Sequence, residues 1–315
     1  MRWCKFMNKI LVVYNICQKD RDNTDHYINS IRSILNQNNF DDNYKIVVSA
    51  CKNRNEIINR LLSEFKDKIN IVYYDDIFTV NITFNKTVQE YIKRFGKFGG
   101  YLYIDSGVTL TDPNVIKTMS EFLDQKIYSM ITVQTDGDNG FDMWLGFNRV
   151  IENDYIVPIG KACNLHCQLF TNELYETYNS KIIPDVFAAF CTESSFSFLN
   201  AAIHKKWVIA KDIVVYHKQS LDNASMYFQH KSERFDNFWN NLLFNRNAND
   251  FINDPEAIDA GLGYEEVNNI VLHKKDMYDE NGYSLDSDRL KRVILKYLYL
   301  NNRELDYENI RSVFM

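Results

Sequence analysis

What most constrains this chain is the alternation, through its N-terminal part, of short apolar runs with amphipathic stretches of helical period. Residues 10–14, Ile-Leu-Val-Val-Tyr, are a continuous run of β-formers, as expected of a strand buried on both faces. Tyr27, Ile28, Ile31, Ile34 and Leu35 then fall on one helical face, which ends in the polar cluster Asn36-Gln37-Asn38-Asn39. The cycle repeats with a strand over 44–49, a helix carrying Ile57, Ile58, Leu61, Leu62 and Phe65, a strand over 69–74, and a helix carrying Val88, Tyr91 and Ile92. Gly96, Gly99 and Gly100 lead into a strand over 101–104. Such alternation implies right-handed βαβ units, hence an α/β fold with a mostly parallel sheet and helices on both faces. Ligands of these sheets bind at the carboxyl ends of the strands. That rim is expected to hold Tyr14-Asn15, Ser49-Ala50-Cys51, Asp75-Asp76 and Asp105-Ser106-Gly107.

The second half is less regular. Residues 127–134, 143–150 and 207–217 read as strands and 194–205 as a helix, while 235–244 and 290–300 suggest helices of a C-terminal extension. The expected organisation is therefore a nucleotide-fold domain over 1–220 and a mainly helical extension over 221–315. A net charge of −6, with the lysines spread along the chain, argues against a partner gripped through nucleic-acid phosphates. Cys4, Cys17, Cys51, Cys163, Cys167 and Cys191 lack the spacing of a disulfide framework, which points to a reducing compartment. The opening Met1-Arg2-Trp3-Cys4-Lys5-Phe6 is too short and interrupted for a signal peptide, and no run approaches the roughly 20 apolar residues of a membrane span. A cytoplasmic protein is the expectation.

Three places carry residues suited to chemistry. The strand end Asp105-Ser106-Gly107 delivers a carboxylate where a divalent cation can bridge a diphosphate, although a capped turn would use the same residues. Glu193, in Phe190-Cys191-Thr192-Glu193-Ser194-Ser195, reads locally as a carboxylate favoured by a helix N-terminus. His217 ends the strand Ile213-Val214-Val215-Tyr216, where a lone histidine reads locally as a solvated or capped residue. Cys163-Asn164-Leu165-His166-Cys167 superficially suggests zinc, but a structural site wants a second paired cluster and none is visible.

The order and spacing of these pieces resemble the GT-A glycosyltransferases over roughly residues 8–220. Ser33-Ile34-Leu35-Asn36-Gln37 is similar to the end of the first helix in those enzymes, and Thr83-Phe84-Asn85-Lys86-Thr87 to the helix before their metal strand. Tyr101-Leu102-Tyr103-Ile104-Asp105-Ser106-Gly107 falls on their Asp-x-Asp motif, with Pro113 after it. The resemblance implies a GT-A sheet that binds a nucleoside diphosphate sugar, with uridine diphosphate as the commonest handle, and a divalent cation, Mn2+ or Mg2+. It assigns the cation to Asp105 and His217. The donor falls to Tyr14, Asn15, Ser49, Asn85, Asp105, Ser106, Gly107 and Lys218. Glu193 becomes the base that deprotonates an acceptor hydroxyl in an inverting transfer, and Asp185 a second candidate for that role or for an acceptor contact. The acceptor is a glycan, a protein or a small molecule. His166 and Trp144 fall on the acceptor side, although simple packing would also explain His166. Two positions depart from the pattern: Gly107 replaces the second carboxylate, and Ser49 stands where an Asp usually meets the nucleobase. A nucleotidyltransferase would need a Gly-rich loop after the first strand, which Ile16-Cys17-Gln18-Lys19-Asp20-Arg21 lacks. A glycan-binding protein of the same fold without turnover is the other alternative.

Overall fold

A computed structural model describes residues 10–16, 24–38, 44–51, 55–74, 80–136, 149–152, 155–158, 166–181, 199–217 and 304–314. The alternating N-terminal pattern produces β1 (Ile10–Ile16), α1 (Thr24–Leu35), β2 (Tyr44–Cys51), α2 (Asn55–Phe65), β3 (Asn70–Tyr74), α3 (Val80–Phe95) and β4 (Gly100–Asp105). There follow β5 (Val108–Thr109), α4 (Val115–Glu121), β6 (Tyr128–Asp136), β7 (Arg149–Glu152), β8 (Tyr155–Pro158), β9 (Cys167–Thr171), α5 (Asn172–Lys181), β10 (Lys206–His217) and α6 (Tyr307–Phe314). Among the described residues the strands form one sheet, ordered β3-β2-β1-β4-β9-β6-β10-β8-β7, with β5 also pairing on β10.

The expected α/β architecture is present. The first four strands of that order are parallel, and so are β6 and β10. Between these two parallel groups runs β9, antiparallel to both β4 and β6.

Residue parity along the central strands sorts the core into two layers. Ile10, Val12, Tyr14 and Ile16 of β1, with Leu102 and Ile104 of β4, join one cluster with Tyr27, Ile28, Ile31 and Ile34 of α1, Ile57, Ile58 and Leu61 of α2, and Ile116 and Met119 of α4. On the opposite parity, Tyr101 and Tyr103 of β4 meet α3 and α5 through aromatic pairs. Phe84 lies 5.7 Å from Tyr103 and 5.8 Å from Phe170, and Tyr101 lies 4.6 Å from Tyr175. Burying each such ring is worth about 1.5–3 kcal/mol relative to exposure, so both layers pin β4 in place. Gly96 closes α3 at φ 87°, the left-handed conformation that costs glycine least. Gly100 lets β9 approach β4: a Cβ there would stand 3.0 Å from Leu169 Cδ1 and 3.1 Å from the Phe170 carbonyl oxygen.

Of the expected extension over 221–315, only residues 304–314 are described. Its described end does meet the sheet domain. Leu305 and Ile310 are buried, Asn309 Nδ2 donates to the Ala201 carbonyl, and Asp306 pairs with His204 at 2.9 Å. Among the described residues no helix is long and apolar enough to cross a membrane.

Candidate functional site

Asp105 is the last residue of β4 and sits on the carboxyl rim of the parallel strands, beside Asn15 of β1. Antiparallel pairing fixes what faces it from the other side. Ile104 pairs with Cys167, so the next step in register sets His166 against Asp105, and the Asp105 N–H donates to the His166 carbonyl at 2.8 Å. A third strand end arrives with β10. Its Ile209 faces Thr132 of β6 but its Val214 faces Gln134, so residues 210–213 bulge against Val133. Bulges re-aim a strand, and past this one His217 pairs with Val108 of β5, just beyond the turn that follows Asp105. Along β10 Val215 and His217 are buried and Tyr216 is exposed, so strand alternation turns the imidazole inward.

One carboxylate and two imidazoles therefore converge. Asp105 Oδ2 lies 3.5 Å from His217 Nε2 and 3.8 Å from His166 Nδ1, both longer than an ordinary hydrogen bond. The two rings lie 4.0 Å apart at 30°. The other carboxylate oxygen is fixed, because Oδ1 accepts the Ser106 N–H at 2.7 Å. Burial alone would push the Asp105 carboxyl up, but the imidazoles of His166 and His217 outweigh it and hold the group well below the usual carboxylate range. The three donor atoms lie within 4.8 Å of one another, a spacing that suits a metal ion. Cys167 is not among them. Its thiol is buried in the sheet, and burial pushes its pKa up to about 12, as expected of a packing residue.

The turn after Asp105 and the segment beyond it are held from β1, from α1 and from Gln37 just past its end. The Ser106 carbonyl accepts the Tyr14 hydroxyl at 2.9 Å and lies 2.9 Å from His26 Nε2. Ser30 Oγ bonds the Val108 carbonyl, and Ser33 Oγ accepts the Leu110 N–H at 3.0 Å. Gln37 reaches furthest, donating to the Asp112 carbonyl at 2.8 Å while accepting the Ile116 N–H at 3.0 Å. The Ser-hydrophobic-Leu-x-Gln stretch thus has a physical purpose here: its two polar side chains satisfy backbone groups of the segment that carries β5 and opens α4.

Of the residues expected to meet a donor, the structure gathers Asp105, Ser106, Gly107 and Tyr14 at this turn, with Asn15 beside Asp105 in register. Several have structural partners. Asn15 exchanges hydrogen bonds with Thr83 of α3, and the Asn85 carboxamide accepts the Tyr175 hydroxyl at 2.7 Å. Ser49 pairs with Asn15 in register; it is fully buried, and its hydroxyl has no hydrogen-bond partner among the described residues. Such a hydroxyl costs desolvation without return. Ser49→Ala should therefore leave the fold intact and raise its stability by up to about 1 kcal/mol, measured by denaturant melts without nucleotide. A loss of stability would mean that the hydroxyl is engaged.

Glu193, Asp185 and Lys218 lie outside the described residues, as do Asp75, Asp76 and Trp144. Two residues escaped the sequence reading. His166 was assigned to the acceptor side, and its place beside Asp105 follows only once β9 is known to run antiparallel to β4. His26 carried no signal beyond lying one position before the apolar face of α1.

No protein-family model and no curated protein matches the sequence. Solved structures do match in fold. A mannosyltransferase from Pyrobaculum calidifontis, solved with GDP-Man and Mn2+, superposes with a TM-score of 0.53 at 11% identity, over 99% of this chain and 76% of that one. GalNAc-T7, solved with UDP, GalNAc and Mn2+, gives a TM-score of 0.50 at 8% identity, over 68% of this chain and 44% of that one. With its parallel β3-β2-β1-β4 half, the antiparallel β9 and a carboxylate on the rim, this chain has the fold of the GT-A-type glycosyltransferases.

Proposed function

We propose that this protein is a glycosyltransferase that moves a sugar from a nucleoside diphosphate sugar to an acceptor hydroxyl with the help of a divalent cation. The observation that carries the reading is the meeting of Asp105 and His217 at the carboxyl rim of the sheet, the edge at which α/β folds bind their ligands. Two solved structures of the same fold hold Mn2+ together with GDP-Man or with UDP and GalNAc, which favours a nucleotide-sugar donor and this cation. A uridine diphosphate donor is the handle we favour.

The residues present fit a cation. Asp105 stays ionised, its Oδ1 is anchored by a backbone N–H, and its Oδ2 faces imidazole nitrogen. A divalent ion held by Asp105 and His217 would supply charge that stabilises a departing diphosphate. We assign to the donor the backbone of Ser106 and Gly107, the Lys218 ammonium as a partner for phosphate, and Asn15, Ser49 and Asn85. Tyr14 acts by holding the Ser106 carbonyl in place. Glu193 takes the proton from the acceptor hydroxyl as it attacks, giving inversion, and Asp185 orients the acceptor.

A panel of UDP- and GDP-sugars incubated with Mn2+, with release of nucleoside diphosphate as the readout, tests this directly. Turnover is expected with one donor class, and Glu193→Ala should lose transfer while still binding nucleotide. Tight nucleotide binding without turnover across the panel would instead leave a glycan-binding protein on an enzyme fold.

A further inference from the structure

We propose that His166 is a third protein ligand of the cation, and that the resulting site of one carboxylate and two imidazoles selects transition ions, Mn2+ or Co2+, over Mg2+. The inference rests on the reading of Asp105 and His217 as cation ligands and extends it by a residue and a preference.

Geometry supports the third ligand. His166 is placed by the sheet: the backbone hydrogen bond from Asp105 to its carbonyl, at 2.8 Å, ties its position to the end of β4. Its Nδ1 and His217 Nε2 approach the same oxygen, Asp105 Oδ2, from two strand ends, at 3.8 and 3.5 Å. Cis donors each about 2.1 Å from a shared octahedral ion stand about 3.0 Å apart. The two Asp105–imidazole separations therefore need a contraction of under about 1 Å to close on an ion, and the two ring nitrogens, which lie within 4.8 Å of each other, a larger one. Three protein ligands also leave coordination positions for a substrate, the pattern of catalytic rather than structural sites. The side chains are unevenly buried, His217 at 5% exposure and His166 at 23%.

Chemistry supports the preference. Gly107 offers no side-chain donor two residues after Asp105, so the cation would meet one negative charge where an Asp-x-Asp pair would offer two. Mg2+ wants oxygen ligands and an octahedral shell, and it gives up water reluctantly. Imidazole nitrogen favours later first-row ions. Exchanging a second carboxylate for an imidazole moves the site in that direction.

The test uses the full chain and the metals themselves. Binding of Mn2+ is followed by loss of the free-ion electron paramagnetic resonance signal, with Mg2+ as competitor, and pulsed resonance on the bound Mn2+ counts coordinated imidazole nitrogens. The wild type should show two imidazoles and bind Mn2+ at least about tenfold more tightly than Mg2+. His166→Gln should show one imidazole and bind Mn2+ about 10- to 100-fold more weakly. The imidazole count is read at saturating Mn2+, so it decides the question even if the variant is destabilised. His166→Asn serves as a second variant if the first does not fold. Two imidazoles remaining in these variants, or unchanged Mn2+ affinity, would overturn the role of His166 and leave the Asp105–His217 pair standing. Equal affinity for Mg2+ would overturn the preference. No Mn2+ binding by the wild type, with or without UDP, would remove the cation reading altogether.

Discussion

Asp105→Asn is expected to abolish measurable Mn2+ binding and to lower donor turnover by about 10²–10³-fold, with little change in the fold. The substitution is nearly isosteric. The carboxamide oxygen can still accept the Ser106 N–H that Oδ1 now takes at 2.7 Å, so the turn keeps its anchor. What disappears is the single negative charge facing two imidazoles at 3.5 and 3.8 Å. Turnover then falls because the charge of a departing diphosphate is no longer offset, while nucleotide affinity falls less.

The same variant should also change the acid limb of stability in metal-free protein. Burial works against ionisation of Asp105, but the two imidazoles win, so the folded carboxyl is held below its unfolded value. A depressed carboxyl contributes stability above the unfolded pKa of about 4 and loses it as the pH falls toward the folded value. Wild type should therefore destabilise more steeply than Asp105→Asn below about pH 4. Parallel acid limbs for the two proteins, together with unchanged Mn2+ affinity, would mean that the charge at this position does neither task.

How much of this was legible in the sequence depends on sheet position. β1 and β4 were readable because parallel strands covered on both sides carry unbroken apolar runs: Ile10–Ile16 is buried at every position and β4 at all but its last. β9 was hidden because its run is short and broken by Gln168. Cys167, Gln168, Leu169 and Phe170 are all buried between β4 and β6, so this strand shows no alternation, and α5 begins at the residue after it ends. Without β9 there is no register, and without register His166 cannot be set against Asp105. His217 was legible because it ends a long strand, although the bulge over residues 210–213 that aims it has no local marker. Asp105 was legible from its place at the end of an apolar strand. The functions of Ser33 and Gln37 were not, since both spend their hydrogen bonds on backbone groups roughly 75 residues away, as loop-clamping side chains do.

That clamp supports the last expectation: Gln37→Met should destabilise the protein by about 2–3 kcal/mol and loosen the cation site along with it. Methionine keeps the length and most of the volume of glutamine, so packing is nearly conserved and the polar loss stands alone. Gln37 is only 5% exposed. Removing its carboxamide takes away the partner of the Ile116 N–H in the first turn of α4 and one donor to the Asp112 carbonyl. A buried N–H left without a partner costs about 1–3 kcal/mol, beyond the net value of the bonds themselves. Asn38→Ala is the control, because its side-chain bond to Asn114 is exposed and should be worth well under about 1 kcal/mol. The link to the site runs through one segment. Gln37 and Ser33 fix the stretch that begins at β5, and Val108 of β5 pairs with His217. A segment freed at Asp112 and Ile116 gives that pairing more play, so Mn2+ affinity should fall together with the melting temperature. Lower stability with unchanged Mn2+ affinity would confine the clamp to the fold, and an unchanged melting temperature would show that the Ile116 N–H finds water instead.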